Sequence, residues 1–230
     1  MLKVYYTRVS DLPENAEGLP LSEYRKAKLA ACRNGRMRKQ YLGAELLLLW
    51  ALKQEDVCPL PPVISVLPGG QPALVNVPLQ FSLSHSGDLA ACALSDRPVG
   101  LDLEREGRYR ESLLRRCFSP EEQKWIGENK EPGAAFTRLW TGKESILKLR
   151  GTGIREDLAR VSPLSQGPGL RIWHTRIPGC TDDEMIQTAD GTRYQLSVCF
   201  DAAMEEPKGL RFVAAGTLME AFSDGMEKMR

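Results

Sequence analysis

The sequence predicts an α+β protein in which helices and strands are grouped along the chain. Segments in which apolar and polar residues alternate indicate strands, and two long segments, 22–54 and 133–150, carry apolar residues at helical spacing. Helices and three or four strands fall in each half of the 230 residues. This order predicts an α+β unit used twice, at 1–98 and 99–218, followed by a C-terminal tail, 219–230, although the halves share no residue-level repeat.

Local patterns account for the elements of the first half. Strands are expected at 2–8, near 63–67 and 73–75, and at 81–85 and 89–94, while a strand at 99–104 opens the second half. Helices are expected at 22–33 and 36–54, separated by a break at Asn34-Gly35. Ser22 is the expected N-cap of the first helix, because its hydroxyl can accept a hydrogen bond from a free backbone N–H. Proline-rich loops fill the rest of 55–80.

The elements of the second half are also indicated by local patterns. Helices are expected at 110–117, 120–129 and 133–150, and strands at 169–175, 193–200 and 210–217. Ser119 is an expected N-cap, and Pro120 then takes the first helical position, where its missing N–H costs nothing. From Met219 onwards the pattern indicates a surface helix or a frayed tail.

The composition is that of an ordinary globular protein, with 42% hydrophobic and 27% charged residues. A net charge of +1 provides no general attraction to nucleic acid or to a membrane surface. No apolar run approaches the roughly 20 residues of a transmembrane helix, and the N-terminus lacks the layout of a signal peptide. We expect buried free thiols and a cytoplasmic protein, since no CxxC pair occurs among Cys32, Cys58, Cys92, Cys117, Cys180 and Cys199.

One predicted strand carries two carboxylates on a single face. In the run from Val99 to Glu104, Leu101 and Leu103 point one way, while Asp102 and Glu104 point the other, because strand side chains alternate. Two neighbouring carboxylates repel each other. Such a pair is tolerated where it is exposed to solvent or shares a cation. The pattern therefore leaves two interpretations open, a solvated strand face and a cation site.

A third carboxylate lies in the long helix of the second half. Glu144 falls on or beside the apolar face that includes Trp140 and Leu147, and it is flanked by Lys143 and Lys148. Hard oxygen ligands hold Mg²⁺, and ammonium groups hold phosphate. These residues indicate a Mg²⁺ and phosphate site, although an i,i+4 ion pair between Glu144 and Lys148 would be a purely structural explanation.

Positive charge is concentrated near the start of the chain. Against the single acid Glu23, the segment 22–40 contains Arg25, Lys26, Lys28, Arg33, Arg36, Arg38 and Lys39. A solvated helix face would explain this composition. An anion site is the second interpretation, because helical spacing brings Arg25 and Lys28 together.

Two of these stretches, in this order and spacing, resemble the 4′-phosphopantetheinyl transferases of the surfactin-synthetase-associated (Sfp-like) type. The first runs from Ser84-His85-Ser86-Gly87 to Gly100-Leu101-Asp102-Leu103-Glu104, and the second is Trp-x-x-Lys-Glu-Ser-x-x-Lys, from Trp140 to Lys148, followed by Gly151. Gly70-Gln71-Pro72 stands where the family has Gly-Lys-Pro, and the basic helices resemble those at the family's N-terminus. The resemblance touches most of residues 1–155.

The resemblance implies transfer of the 4′-phosphopantetheine arm of coenzyme A to a serine of an acyl or peptidyl carrier protein, with release of adenosine 3′,5′-bisphosphate. It also implies a monomer of two similar halves with coenzyme A at their junction. Mg²⁺, or Mn²⁺ in its place, would bridge the pyrophosphate. Carriers of fatty-acid, polyketide and nonribosomal-peptide synthesis all fit, and no nucleic acid or membrane partner is implied.

The resemblance also implies roles for individual residues. Asp102, Glu104 and Glu144 would ligate the metal, and Glu144 would be the general base, acting directly or through water. Lys148 would hold a phosphate oxygen, and Lys143 would either do the same or only orient the site. His85, with Arg25, Lys28 and Lys39 (or Arg38 in its place), would meet the 3′-phosphate. The full set expected at coenzyme A is Arg25, Lys28, Lys39, Gln71, Pro72, Ser84, His85, Ser86, Asp102, Lys143 and Lys148, whereas His174 would be structural.

Gln71 is the departure from the family pattern with the clearest consequence. The usual lysine would provide a charged contact near the nucleotide, whereas Gln71 can only hydrogen-bond to adenine. A non-catalytic module that binds coenzyme A or a carrier protein is the main alternative function. A different Mg²⁺-dependent phosphoryl-transfer enzyme or a nuclease has less support, because the sequence has no P-loop and no broad basic surface.

Overall fold

A computed structural model of the chain describes residues 1–14, 17–107, 109, 111–152, 158–165, 169–178 and 192–222. The strands are β1 (Leu2–Arg8), β2 (Ile64–Val66), β3 (Pro72–Leu74), β4 (Gln80–Ser86), β5 (Leu89–Ser95), β6 (Val99–Arg105), β7 (Leu170–Ile177), β8 (Tyr194–Asp201) and β9 (Leu210–Phe212). The helices are α1 (Glu23–Ala31), α2 (Gly35–Lys53), α3 (Glu111–Cys117), α4 (Pro120–Gly127), α5 (Pro132–Arg150) and α6 (Ala215–Glu220). The predicted mixture of helices and strands is confirmed.

The strands form two main sheets and a small hairpin. The first sheet has the order β4-β5-β1-β9, the second has the order β6-β8-β7, and β2 pairs with β3. The described pairings are antiparallel except that of β9 with β1. Strand β9 therefore joins the sheet that contains β1, so residues on both sides of position 98 share one sheet. The division into domains at that position stays a prediction.

The two sheets and two long helices pack as four layers. On one face of the first sheet lies α2, whose run from Leu46 to Leu49 is completely buried. On the other face, Ala91 and Ala93 of β5 pack against the apolar residues of β6 and β8. Helix α5 covers the outer face of the second sheet. The resulting order is α2, first sheet, second sheet, α5, and it buries each apolar strand face once.

The C-terminal elements differ from the prediction. The expected strand 210–217 ends at Phe212, because β9 pairs with only three residues of β1 and α6 then begins at Ala215. Leu218 on α6 is fully buried in the core around α2, whereas Gly216, Thr217 and Glu220 of the same helix are exposed, so α6 is an amphipathic helix with one buried face. Apolar residues at 215, 218 and 222 have helical spacing, a signal that the strand assignment overlooked. Residues 223–230 of the predicted tail lie outside the described part of the chain.

The described cysteines are free thiols, as expected. Cys92, Cys117 and Cys199 are buried, Cys32 is partly exposed and Cys58 is exposed. Cys180, and residue 110 at the start of a predicted helix, lie outside the described residues. Among the helices that the structure describes, none is long and apolar enough to cross a membrane.

Candidate functional site

Alternate residues of β4 are serines that join the first sheet to the second. Ser82 Oγ accepts a hydrogen bond from the backbone N–H of Leu101 at 2.9 Å. Ser84 Oγ donates to Asp102 Oδ1 at 2.8 Å, and Ser86 Oγ donates to Glu104 Oε2 at 2.6 Å. Because strand residues two apart share a face, the alternation Ser-x-Ser-x-Ser aims three hydroxyls at β6. These bonds orient both carboxylates of the predicted acidic strand.

Close packing of α5 on β6 brings the helix motif to the strand motif. A Cβ atom at Gly100 would lie 1.9 Å from the backbone oxygen of Ser145, so only glycine permits this approach. As a result Lys148 Nζ donates to Asp102 Oδ1 at 2.7 Å and lies 3.5 Å from the carbonyl oxygen of Leu83. Gly100 thus explains why two segments forty residues apart in sequence meet.

The three carboxylates lie in an electrostatically strained group. Asp102 is only 5% exposed, and within the described structure its Oδ2 has no hydrogen-bond partner. Burial raises the pKa of Glu104, with a further contribution from Asp102. Burial also raises the pKa of Glu144, followed by repulsion from Asp102. One ammonium group therefore only partly compensates the negative charge.

The geometry of the three carboxylates falls short of a formed metal centre. In the part of the chain that the structure describes, no group of three or more His, Cys, Asp or Glu side chains has the arrangement of a metal site. Asp102 Oδ2, which has no hydrogen-bond partner among the described residues, and the raised pKa values of Glu104 and Glu144 nevertheless fit a cation-binding donor set. The residues present are thus chemically suited to a hard divalent ion.

A cavity of about 290 Å³ is lined by one of the three carboxylates, Glu144, and by Lys148, whereas Asp102 and Glu104 do not line it. It is lined by residues between Tyr24 and His85 on one side and between Glu144 and Gly151 on the other. Seven of the residues predicted from the sequence line it, namely Arg25, Lys28, Gln71, Pro72, His85, Glu144 and Lys148. The cavity joins an acidic end, at Glu144, to a basic end.

The basic end combines cations with aromatic rings. Lys28 Nζ lies 4.7 Å from the ring centroid of Tyr24, and the guanidinium carbon of Arg25 lies 5.4 Å from that of Tyr41. The rings of Tyr41 and His85 meet edge to face, with centroids 5.3 Å apart. Burial, followed by repulsion from nearby Lys148, Arg25 and Lys28, lowers the pKa of His85 to about 4. This end of the cavity is suited to an anion.

The two histidines of the chain give a prediction for stability against pH. Burial and nearby Arg138 lower the pKa of His174 to about 4, and the pKa of His85 falls equally. An unfolded histidine has a pKa of about 6.5, so the unfolded state binds more protons between about pH 4 and 6.5. The stability due to neutral histidines is therefore complete above this window and is lost as the pH falls through it.

Replacing His174 by asparagine isolates one histidine. The free energy of unfolding of the parent should fall more steeply between about pH 6.5 and 4 than that of His174→Asn, by up to about 1.4 kcal/mol per pH unit. The shifts of Glu104 and Glu144 act in both proteins and cancel in the comparison. Urea denaturation at several pH values measures both slopes, and parallel slopes would contradict the buried neutral state of His174.

Lys143 is a correction to the predicted site. Its side chain is completely buried and does not line the cavity. The ammonium group donates to Glu122 Oε2 at 2.7 Å and to the carbonyl oxygens of Leu158 and Val161 at 2.9 and 2.5 Å. It therefore ties α4, α5 and the turn at Leu158–Arg160 together, and this position does not fit a contact with coenzyme A.

Lys39 is the second correction, because it lies outside the cavity. Its Nζ donates to the backbone oxygen of Ser10 at 3.1 Å, beside a separate surface depression. Arg38, considered in its place, bonds the carbonyl oxygens of Leu29 and Cys32. Ser84 and Ser86 are likewise absent from the lining of the cavity, since their hydroxyls are directed at Asp102 and Glu104.

Sequence reasoning did not assign roles to Tyr24, Tyr41 or Glu45. The two tyrosines line the cavity beside the predicted cations, and a signal was available, because Tyr24 adjoins Arg25 and Tyr41 precedes the apolar run of α2. Glu45 is completely buried and ion-paired to Arg25. As the single acid within the apolar run from Leu42 to Leu52, Glu45 could have been recognised as a buried partner.

Comparisons with known proteins agree with this geometry. The family model of the 4′-phosphopantetheinyl transferase superfamily matches residues 98–199, which include Asp102, Glu104, Glu144 and Lys148. The chain is 31% identical over 167 residues to the 4′-phosphopantetheinyl transferase psf-1 of Bacillus pumilus, across 70% of each protein. It is 36% identical over 180 residues to the 4′-phosphopantetheinyl transferase AcpT of Escherichia coli (strain K12), across 71% of this chain and 86% of the relative.

A third relative supports the same assignment. The chain is 30% identical over 165 residues to a 4′-phosphopantetheinyl transferase of Bacillus subtilis, which corresponds to 69% of this chain and 71% of the relative. These alignments extend well beyond the two short motifs. The acidic strand, the helix packed on it and the shared sequence together show that the chain belongs to the 4′-phosphopantetheinyl transferase family of enzymes.

Proposed function

We propose that this enzyme transfers the 4′-phosphopantetheine arm of coenzyme A to a serine of an acyl or peptidyl carrier protein. The observation that carries the proposal is that Arg25, Lys28 and His85 line the same cavity as Glu144 and Lys148. Coenzyme A has a 3′-phosphate and a pyrophosphate on opposite sides of one ribose. The two ends of the cavity suit these two groups in turn.

The walls of the cavity support a site at the junction of the two proposed halves. Residues 24–85 belong to the first of these, and residues 144–151 belong to the second. Gln71 and Pro72 also line the cavity and are assigned to the adenine. A Cβ atom at Gly151 would lie 2.8 Å from Gln71 Oε1, so the two walls meet closely at this point.

Asp102, Glu104 and Glu144 are assigned as the ligands of Mg²⁺, with Mn²⁺ as a substitute. Two observations support this assignment: Asp102 Oδ2 is without a hydrogen-bond partner in the part of the chain that the structure describes, and the pKa values of the two glutamates are raised. When bound, the ion offsets negative charge on the pyrophosphate and on the phosphorus under attack. Lys148, at 2.7 Å from Asp102, is placed to contact a phosphate oxygen in the cavity.

Glu144 is assigned as the general base. The serine oxygen of the carrier attacks the phosphorus that bears the pantetheine arm, and the bond from that phosphorus to the bridging oxygen breaks. The serine proton passes to Glu144, directly or through water, and adenosine 3′,5′-bisphosphate leaves with the bond electrons. Burial raises the pKa of Glu144, which makes this carboxylate a stronger base than an exposed one.

The remaining parts of the proposal concern the setting of the reaction. The enzyme acts as a monomer in the cytoplasm, without a nucleic acid or membrane partner. The net charge of +1 supports the absence of a nucleic acid or membrane partner, and the free thiols of the described cysteines support the reducing cytoplasm. Coenzyme A and the carrier protein are then the two substrates.

Intact-mass spectrometry of a carrier protein tests the transfer. Incubation with coenzyme A, Mg²⁺ and this enzyme should add one phosphopantetheine arm to a carrier, and a carrier whose target serine is replaced by alanine should gain nothing. A panel of fatty-acid, polyketide and nonribosomal-peptide carriers identifies the pathway. Binding of coenzyme A without mass gain on any carrier would instead favour a binding module, in which Lys148 permanently neutralises Asp102.

His85 provides a test of the nucleotide end. Its replacement by alanine should weaken the binding of coenzyme A by roughly 1.5–3 kcal/mol, the loss expected for a hydrogen bond to a charged group. Binding of 3′-dephospho-coenzyme A should change little, because the phosphate that His85 meets is already missing. Calorimetric titration measures both ligands. A variant that still discriminates them as the parent does would exclude His85 from the 3′-phosphate site.

A further inference from the structure

A buried acid lies directly beneath the basic end of the cavity. Glu45 on α2 has no solvent exposure, and Arg25 on α1 is only 4% exposed although it lines the cavity. Arg25 Nε donates to Glu45 Oε2 at 3.3 Å, and the backbone N–H of Ser22 donates to Glu45 Oε1 at 3.0 Å. Both carboxylate oxygens are therefore used by donors of the segment that presents Arg25.

Only one edge of the Arg25 guanidinium is held by this contact. A guanidinium has five N–H groups, and the Nε–H accounts for one of them. Among the described residues, the terminal nitrogens Nη1 and Nη2 make no hydrogen bond, and the group lies between the rings of Tyr24 and Tyr41. A buried cation with free donors at a cavity wall is suited to bind an anion there.

Ser22 extends the influence of Glu45 to the start of α1. The Ser22 side chain caps the helix by accepting from the backbone N–H of Arg25 at 3.2 Å. Glu45 holds the backbone N–H of the same serine, so one carboxylate sets both the first turn of α1 and the guanidinium that projects from it. An amide at this position has a single acceptor oxygen and would leave one of the two donors unpaired.

We infer that Glu45 is a positioning residue, which directs the terminal nitrogens of Arg25 at the 3′-phosphate of coenzyme A. The inference rests on the proposed function and deepens it. Arg25, Lys28 and His85 all contact the ring of Tyr41 in this cavity, whereas Lys148 bonds the carboxylate of Asp102. Glu45 therefore affects recognition of the 3′-phosphate and leaves the reacting phosphorus untouched.

The test measures binding rather than activity. Glu45→Gln should weaken the binding of coenzyme A roughly tenfold, as measured by calorimetric titration. Without the carboxylate the Arg25 guanidinium is no longer held in its orientation, so part of its charge-assisted contact with the phosphate is lost. Binding of 3′-dephospho-coenzyme A should change by less than about twofold. Glu122→Gln makes the same chemical change at an equally buried ion pair outside the cavity, and it should alter neither affinity.

Two further variants keep the inference falsifiable. Glu45→Asp retains a buried negative charge but shortens its reach, so it guards against loss of folding and should show the same preference for affecting coenzyme A. With Arg25 replaced by methionine, Glu45→Gln should have no additional effect on the affinity. If Glu45→Gln weakens the binding of both ligands equally, or leaves the affinity for coenzyme A unchanged, the inference is overturned. The proposed function still stands in that case if the parent modifies a carrier protein. A parent that fails to bind coenzyme A would overturn both.

Discussion

Replacing Asp102 by asparagine is expected to lower phosphopantetheine transfer by on the order of 10²–10³-fold. One buried oxygen of Asp102 has no partner among the described residues, and the other accepts hydrogen bonds from Ser84 and Lys148. The amide removes the negative charge that the proposed metal needs and leaves the side chain nearly the same size. The kcat/KM for carrier modification measures the effect.

Asp201→Asn is the matched control for this variant. Asp201 ends β8, bonds Arg97 and is 45% exposed, so the same chemical change there should leave the transfer rate within about twofold. Removal of Mg²⁺ by a chelator should abolish transfer by the parent, and added Mg²⁺ or Mn²⁺ should restore it. Full activity in excess chelator, or an Asp102→Asn variant as active as the control, would refute the metal assignment.

Replacing Lys143 by methionine is expected to destabilise the enzyme by about 3–5 kcal/mol. The change leaves Glu122 as a buried charge without its cation and takes a donor from the carbonyl oxygens of Leu158 and Val161. Burial of an unpaired charge costs more than a lost hydrogen bond. The free energy of unfolding from urea denaturation measures the loss.

A control at the exposed Lys124 shows whether the loss of stability comes from burial of the ion pair or only from the loss of a positive charge. Lys124 forms a 3.8 Å pair with Glu128 on the surface of α4, and Lys124→Met should cost less than about 0.5 kcal/mol. The double variant Lys143→Met/Glu122→Gln should be more stable than Lys143→Met alone, because it removes the stranded charge and keeps the cap at Ser119. A Lys143→Met variant as stable as the control would contradict the structural role of the pair.

Most of the acidic site followed from local periodicity. Asp102 and Glu104 share a strand face because they are two residues apart, and Arg25 and Lys28 share a helix face because they are three apart. Such relations hold whatever the element packs against. The strands and helices were therefore identified largely correctly, and the error at 210–217 arose where three residues of strand are followed by a short helix with one buried face.

Lys143 and Lys148 show where local periodicity was insufficient. Five residues on a helix turn the side chain by roughly 140°, so the two lysines cannot face the same cavity. The sequence does not show which of them enters the core. Packing of α5 against α4 decides this by directing Lys143 to Glu122, and close contact with Gly100 directs Lys148 to Asp102.

By itself the sequence determined the type of each long element, the carboxylates and cations that share a face, and the family to which they point. Only the tertiary structure decided that Lys143 is a core residue, that Lys39 lies outside the cavity and that Glu45 lies beneath Arg25. The physical reason is that the direction of a side chain within a helix or strand follows from the period of that element, which a few neighbouring residues reveal. Whether a given face meets solvent, a ligand or a buried partner depends instead on contacts between segments distant in sequence.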